Sequence, residues 1–321
     1  MSWLYRFLLR FNWFQRLVEW SQRIIPIGFD GLPLFTVLEF FFKEIRKEQL
    51  NAKSSSLAYS FLLAIFPATI FLFTLIPYIP VKNFKGELFS ILVQVLPKDA
   101  FLAIQSTITD IIENQNGSLL SFGFLTALFF ATNGVMALMR NFNKASLILE
   151  TRKPWKQRLV ATYLTMGLSF LLVAGVVLII TGGSILRKLK AIGIIKGPLA
   201  YYAILGTNWI TIITLFFCII SSLYYFGPAT AKKFKFVSAG STLATLLSII
   251  TSLGFAYYVN NFSSYNKLYG SIGTLIVIMI WLYLNSMILL IGFELNASIN
   301  IIKRNLPAPK KGNRLKSETS N

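Results

Sequence analysis

The sequence predicts an all-α, polytopic membrane protein, and three observations support this class. Apolar residues make up 55% of the 321 residues and charged residues only 13%, whereas a soluble domain carries about a quarter charged residues. The mean hydropathy is +0.63. Helix-length apolar runs are typical of membrane spans, while a membrane β-barrel shows short alternating segments. We place six spans at residues 55–76, 119–139, 159–181, 202–226, 236–259 and 271–293.

Residues 1–53 form an amphipathic N-terminal segment rather than a signal peptide. Charged residues such as Arg6, Arg10 and Glu19 interrupt its apolar residues, so it lacks the apolar h-region of a signal peptide. The apolar side chains recur at helical spacing opposite a basic face, which predicts a helix lying in the membrane interface. A second amphipathic helix is predicted over about 33–50.

The transmembrane domain is predicted over residues 54–302. Its largest extramembrane piece, the outer loop 77–118, has the pattern of two short helices. The basic tail 303–321 is polar and is predicted to be disordered. Within the first span, Pro67 removes one backbone hydrogen bond, which predicts a kink.

The charge distribution predicts the orientation. With the N-terminus inside, the inner segments hold 23 of the 31 Lys and Arg residues and the outer segments hold 8. The positive-inside rule therefore predicts that both termini lie in the cytoplasm. Segment 184–196 departs from the rule, because it places four basic residues on the outer side. The bias and attraction to anionic lipid account for the net charge of +19, so we expect anionic membrane lipids as partners and no nucleic acid.

The residues that most enzymes need are scarce. Histidine is absent, which excludes His-based general-base catalysis, Ser-His-Asp triads and His metal ligation. The single cysteine, Cys218, excludes a disulfide framework. No glycine-rich phosphate-binding motif occurs. We therefore predict that the protein is not an enzyme and that it holds no cofactor or metal.

Hydroxyl residues form a stripe along the fifth span, at a spacing of three and four that places them on one helical face. Small residues allow close helix approach in lipid, so the stripe is interpreted as a packing seam, with a polar pathway lining as the alternative. The stripe consists of Ser238, Ser241, Thr245, Ser248 and Ser252.

Glu294 is the one acid of the last apolar run. It follows Gly270, near the outer boundary, by 24 residues, which is about 36 Å of helix. Because the hydrocarbon core is about 30 Å thick, we expect Glu294 near the cytoplasmic boundary. Arg140 is predicted at a similar depth, with Asn133 on the same face. A Glu294–Arg140 pair is expected either as a structural ion pair or as part of a substrate or gating site.

The polar residues of the last span divide between two faces, so they do not all point into one cavity. One face carries Asn285, Gly292 and Asn296, and the roughly opposite face carries Tyr283, Met287, Glu294 and Ser298.

Three segments resemble the YihY / virulence factor BrkB family: residues 58–80, residues 131–146 with 152–159 after them, and residues 265–297, the last with the most specific pattern, GFELNA. The resemblance covers about 40–301. It implies a six-span bacterial inner-membrane protein with cytoplasmic ends. Members were formerly labelled ribonuclease BN, which is generally considered a misassignment. Family associations with serum resistance and envelope lipid handling imply transport.

The resemblance also implies which positions form a candidate substrate pathway or gate, and Phe293 replaces the small residue common in its motif. We add Asn285 from the last span to this set, and Pro67 remains the candidate kink. The positions implied by the resemblance are Asn133, Arg140, Asn143, Arg152, Tyr269, Gly270, Glu294 and Asn296.

Three functions are compatible with these features. The first is a transporter or flippase-like protein for a lipid or amphipathic anion in envelope maintenance. The second is a non-transporting scaffold that binds envelope partners through its N-terminal and outer helices. The third, a membrane enzyme or nuclease, has the weakest support, since histidine is absent.

Overall fold

The computed structural model describes residues 12–26, 28–47, 49–75, 109, 117–145, 150–192, 198–229, 235–261 and 264–305. The predicted outer-loop helices and the tail beyond Asn305 lie outside these residues. The described part of the chain is built from α-helices and contains no strand. Its helices are α1 (Asn12–Arg23), α2 (Leu34–Lys47), α3 (Leu50–Leu75), α4 (Gly117–Ala145), α5 (Pro154–Ala191), α6 (Pro198–Phe226), α7 (Ala239–Asn261) and α8 (Ser264–Asn305).

Helix length and composition confirm the predicted class. Five stretches within the described residues are long and apolar enough to cross a membrane, and they overlap the second to sixth predicted spans. The first predicted span falls on α3, a continuous helix of 26 residues that contains Pro67. The five stretches are Gly117–Ala145, Pro154–Gly175, Trp209–Phe226, Ala239–Val259 and Leu275–Asn305.

Helix α8 lies at the centre of the bundle. It packs against α2, α3, α4 and α7, while α3 packs along α4 and α5 along α6. Its segment from Gly292 to Ile299 is buried on all sides. Phe293 stacks on Phe142 of α4 at 4.1 Å between ring centroids and meets Tyr224 of α6 edge-on. Phe293 therefore packs at the centre of the bundle.

The outside of the bundle is apolar. Large side chains such as Phe170, Tyr163 and Phe122 are 72%, 67% and 64% exposed. A protein surrounded by water rarely exposes such contiguous apolar surface. These side chains are therefore the lipid-facing surface of a membrane bundle.

A tight turn joins α1 to α2 and ties both to the bundle. Gly28, Asp30 and Gly31 all have positive φ angles, of 92°, 52° and 85°. The carboxylate of Asp30 accepts hydrogen bonds from Lys235, just before α7, and from Lys303 near the end of α8. These bonds lower the pKa of the Asp30 carboxyl below its usual value. The turn is thus anchored to the same end of the bundle as the start of α7.

Candidate functional site

The crossing of α7 and α8 is the closest helix contact around the candidate residues. A Cβ atom added to Gly240 would overlap the carbonyl oxygen of Gly292, and one added to Gly292 would lie 2.6 Å from the Tyr224 hydroxyl. Close backbone approach of this kind is why small residues are enriched at helix interfaces in membranes. The two glycines therefore determine how near α7 and α8 can come.

The side-chain amide of Asn296 forms hydrogen bonds across this crossing through both its oxygen and its nitrogen. Its Oδ1 accepts a hydrogen bond from the Gly240 N–H at 2.8 Å, and its Nδ2 donates to Ser238 Oγ at 2.8 Å. Ser238 stands just before α7 and its Oγ also accepts from the Ser241 N–H, as an N-cap residue does. The polar groups of Asn296 are thus used in joining α8 to the start of α7.

The hydroxyl stripe of α7 begins at the same contact, with Ser238. Ser238, Ser241, Thr245 and Ser248 are all buried. Thr245 Oγ1 donates to the Ser241 carbonyl, four residues back, at 2.8 Å. This bond to the preceding turn satisfies the hydroxyl within its own helix, which supports the packing interpretation for this part of the stripe.

A second polar network joins α4, the segment before α5 and the segment after α6. Glu150 accepts hydrogen bonds from Asn143 Nδ2 at 2.6 Å and from Arg152 Nε at 2.7 Å. Asn143 Oδ1 in turn accepts from the Ala229 N–H, and Arg152 donates to the Gly227 carbonyl. The Arg152 hydrogen bonds lower the pKa of the Glu150 carboxyl. The structure thus brings two predicted site residues, Asn143 and Arg152, together around Glu150. We call Asn143, Glu150 and Arg152 the clamp.

Glu294 differs from both networks. It is only 3% exposed, and within the described residues no hydrogen bond to its carboxylate is present. The charges that act on it are Lys53 of α3, which is favourable, and Glu44 of α2, which is unfavourable. A buried carboxylate without donors is costly, so this junction of α2, α3 and α8 is the strongest candidate for a functional site.

The expected Glu294–Arg140 pair does not form. Arg140 is exposed on α4, and its Nε donates to the Met136 carbonyl of its own helix at 3.4 Å. Similar predicted depth does not make a pair, because Arg140 is exposed on its own helix while the charge of Lys53 acts on Glu294. Among the described residues, the cation whose charge acts favourably on Glu294 is therefore Lys53.

Two buried hydroxyls accompany this charge pair. Ser298 lies one turn beyond Glu294 on α8, and Ser54 directly follows Lys53 on α3. Both are 0% exposed, and neither Oγ has a hydrogen-bond partner in the part of the chain that the structure describes. Unsatisfied buried hydroxyls are uncommon and call for water, an ion or a ligand. The polar groups of this junction thus retain unused hydrogen-bonding capacity.

A groove runs between α3 and α8. Its volume is about 430 Å³, and its lining includes Ser55, Ala58, Met279 and Tyr283. Tyr283 also donates from its hydroxyl to Asn51 Oδ1 at 3.2 Å. Since Glu294 follows Tyr283 by 11 residues, or close to three helical turns, the two lie on nearly the same face of α8. One face of α8 therefore carries both the groove wall and the buried acid.

The remaining predicted residues are separated from Glu294. Asn133 is half-buried on α4, and Asn285 Nδ2 donates to the Trp281 carbonyl of its own helix. Tyr269 and Gly270 belong to the first turns of α8. Asn296 and Asn143 are engaged in the two networks above, and the surroundings of Tyr269 and Gly270 fall outside what the structure describes.

Sequence reasoning missed Lys53 and Glu150. Lys53 is the last basic residue before the first predicted span, and this position directly before an apolar run could have indicated it. Glu150 is the one acid between α4 and α5, in a segment rich in Lys and Arg. Isolated acids among basic residues are a usable signal for structural pairing.

Comparison with known proteins agrees with this architecture. The family model for the virulence factor BrkB matches residues 41–316. The chain belongs to the virulence factor BrkB family. No solved structure gives a significant match.

Two relatives illustrate the range of this family. Ribonuclease-like protein YfkH of Bacillus subtilis (strain 168) is 34% identical over 79% of this chain and 91% of its own length. A UPF0761 membrane protein of Tolumonas auensis is 24% identical over 81% of this chain and 84% of its own length.

Proposed function

We propose that this BrkB-family membrane protein moves a lipid or another amphipathic anion across the bacterial inner membrane, with both of its termini in the cytoplasm. The observation that carries the proposal is the buried carboxylate of Glu294, which accepts no hydrogen bond from the residues that the structure describes. An ionisable group inside a membrane bundle is retained for function more often than for stability.

Lys53 supplies the attraction for an anion. It is half-buried on α3 and interacts electrostatically with Glu294 and with Lys144 of α4. Lys53 and Lys144 face the carboxylates of Glu294 and Glu44 at this junction, so an anion would be attracted by Lys53 itself and not by an excess of positive charge. A phosphate headgroup would therefore compete with Glu294 for Lys53, and Glu294 would favour release of the anion when it pairs with Lys53 again.

The groove between α3 and α8 supports an amphipathic substrate rather than a small ion. Its lining is almost entirely apolar, with Ser55 as its one hydroxyl besides that of Tyr283. A volume of about 430 Å³ falls in the range of small-molecule sites. An acyl chain fits such a wall, while the headgroup would remain near the charged end of α3.

Lipid exchange in reconstituted vesicles tests the proposal. The measurement follows fluorescent phosphatidylglycerol between leaflets with a quencher that does not cross the bilayer. We expect wild-type protein to accelerate exchange over empty vesicles, and Glu294→Gln and Lys53→Gln to reduce it about tenfold or more while remaining folded. Glu39→Gln, an exposed acid on α2, is the matched control.

Exchange at the rate of empty vesicles, for anionic and zwitterionic lipids alike, would contradict lipid movement. Exchange that is fast in wild type and equally fast in both variants would support transport but show that Glu294 and Lys53 are not part of the transport site.

A scaffold is the second candidate, and the surface of α1 favours it. Trp20 is 61% exposed, and Arg16 and Arg23 are exposed on the same helix. Such a helix suits the membrane interface or a partner. Deletion of residues 1–30 that abolishes function, with Glu294→Gln silent, would favour the scaffold. The ribonuclease-like name belongs to the Bacillus relative, and we propose that this chain is not an enzyme.

A further inference from the structure

A second groove lies between α5 and α6. Its volume is about 500 Å³, and its walls are apolar except for Ser222 and the Tyr163 hydroxyl. Val160 and Phe226 lie where α5 begins and α6 ends, while Leu171 lies 11 residues further along α5. The groove is therefore about 16 Å long, which is close to half of the roughly 30 Å hydrocarbon core.

One end of this groove is basic. Lys153 and Lys156 precede Val160 by seven and four residues, so they continue the face of α5 that lines the groove. Both are exposed. The Gln157 N–H donates to the Lys153 carbonyl, which places Lys153 at the start of the helix. The lysines thus stand one to two turns beyond the apolar walls, at the depth of a headgroup.

Two neighbouring features make this end suitable for an anion at a membrane surface. Trp155 is 60% exposed, with the Lys156 ammonium 5.4 Å from its ring centroid, and tryptophan is enriched at the membrane–water interface. The nearby acid, Glu150, is already bonded to Arg152, Asn143 and Gln157. Its charge is therefore compensated within the clamp.

We propose that this groove binds one anionic glycerophospholipid of the leaflet on the Lys153 side. An acyl chain lies along α5 and α6, and the phosphate lies at Lys153 and Lys156. The apolar walls, a length of one leaflet and positive charge at one end match this occupant. The site is separate from Glu294 and Lys53, so it goes beyond the proposed transport function.

Gly167 allows the groove to be filled without disturbing the fold. It lines the groove, and a Cβ atom added there meets no atom within 4 Å. Leucine is also a better helix former than glycine. Gly167→Leu therefore occupies the acyl position, whereas Lys153→Gln/Lys156→Gln removes the charge and leaves the walls intact.

The test is lipid retention on the full-length protein, measured by native mass spectrometry after purification and exchange into defined mixtures of phosphatidylglycerol and phosphatidylcholine. Wild type should retain one phosphatidylglycerol in preference to phosphatidylcholine. Gly167→Leu should lose this lipid whatever its headgroup. The lysine double variant should still bind lipid but lose the preference by roughly ten- to thirtyfold, which follows from the surface attraction per lysine.

Two matched controls accompany these variants. Gly254→Leu adds the same side chain at another open position, on α7. Lys43→Gln/Arg46→Gln removes two exposed charges from α2, at the same end of the bundle. Both should retain the lipid and its preference. Retention by Gly167→Leu equal to wild type, equal loss in the controls, or a dimer that Gly167→Leu dissociates would overturn the proposal. The readout is binding, so failure of transport leaves it unaffected.

Discussion

Glu294 and Asn296 are two residues apart on α8 and almost equally buried, at 3% and 4% exposed, yet their surroundings differ. Asn296 uses its oxygen and nitrogen to hold Gly240 and Ser238 at the start of α7. Glu294 faces α2 and α3 with no hydrogen-bond donor among the described residues, and Lys53 supplies the opposing charge. The two residues are therefore close in sequence but distinct in their contacts.

This contrast distinguishes buried polar groups that stabilise the fold from those that do not. A satisfied amide at a helix crossing contributes specificity and modest stability. An unsatisfied carboxylate contributes no such stability, because its desolvation is not offset by hydrogen bonds. The Asn143–Glu150–Arg152 clamp belongs with Asn296, since its side chains are bonded to one another and to backbone groups.

The largest effect is expected at the crossing that Asn296 holds. Gly240→Ala places a methyl group against the Gly292 carbonyl and the Asn296 side chain. The backbone cannot yield easily there, so the loss of stability should reach or exceed the roughly 1–3 kcal/mol typical of overpacking. Thermal unfolding in detergent measures it. Gly254→Ala, where the added Cβ meets nothing within 4 Å, should be neutral or slightly stabilising; equal losses in both variants would break the comparison.

Next in size is the direct comparison of the two α8 residues. Asn296→Ala leaves the Gly240 N–H without its acceptor and should destabilise the protein by about 1–3 kcal/mol. Glu294→Gln removes a buried charge and no observed hydrogen bond, so its stability should equal or exceed that of wild type. Detergent unfolding of both variants, beside lipid exchange, is the measurement. A strongly destabilised Glu294→Gln would instead assign Glu294 to the structural class.

The smallest effect concerns acid stability of the clamp. The hydrogen bonds from Arg152 lower the pKa of Glu150 below its ordinary 4.5, so Glu150 binds protons more weakly in the folded protein. Its stabilisation is present above about pH 4.5 and is lost as pH falls through the lower, folded-state pKa. Glu150→Gln should lower the free energy of unfolding by about 1–2 kcal/mol at pH 7. It should also reduce the loss of stability on acidification. Unfolding midpoints from pH 7 to pH 3 test this; an acid-induced loss as large as that of wild type would contradict it.

The sequence by itself determined the class and the placement of helices. Apolar runs are long enough to predict the spans, because each helix must satisfy its backbone within lipid. The helical period also separated the face of Asn296 from that of Glu294. The depth of Glu294, near one boundary, stays a prediction from counting 24 residues after Gly270.

Only the tertiary structure decided which groups meet. Periodicity gives the faces of a helix but not the helix opposite each face, and residues at equal depth can point to lipid or to the interior. Arg140 and Lys53 show this, since Arg140 turns outward and Lys53 acts on Glu294. Helix rotation and crossing are set by packing over the whole bundle, including the Gly240–Gly292 contact. Local sequence does not contain that information, so the partners of Glu294 and Asn296 came from the fold.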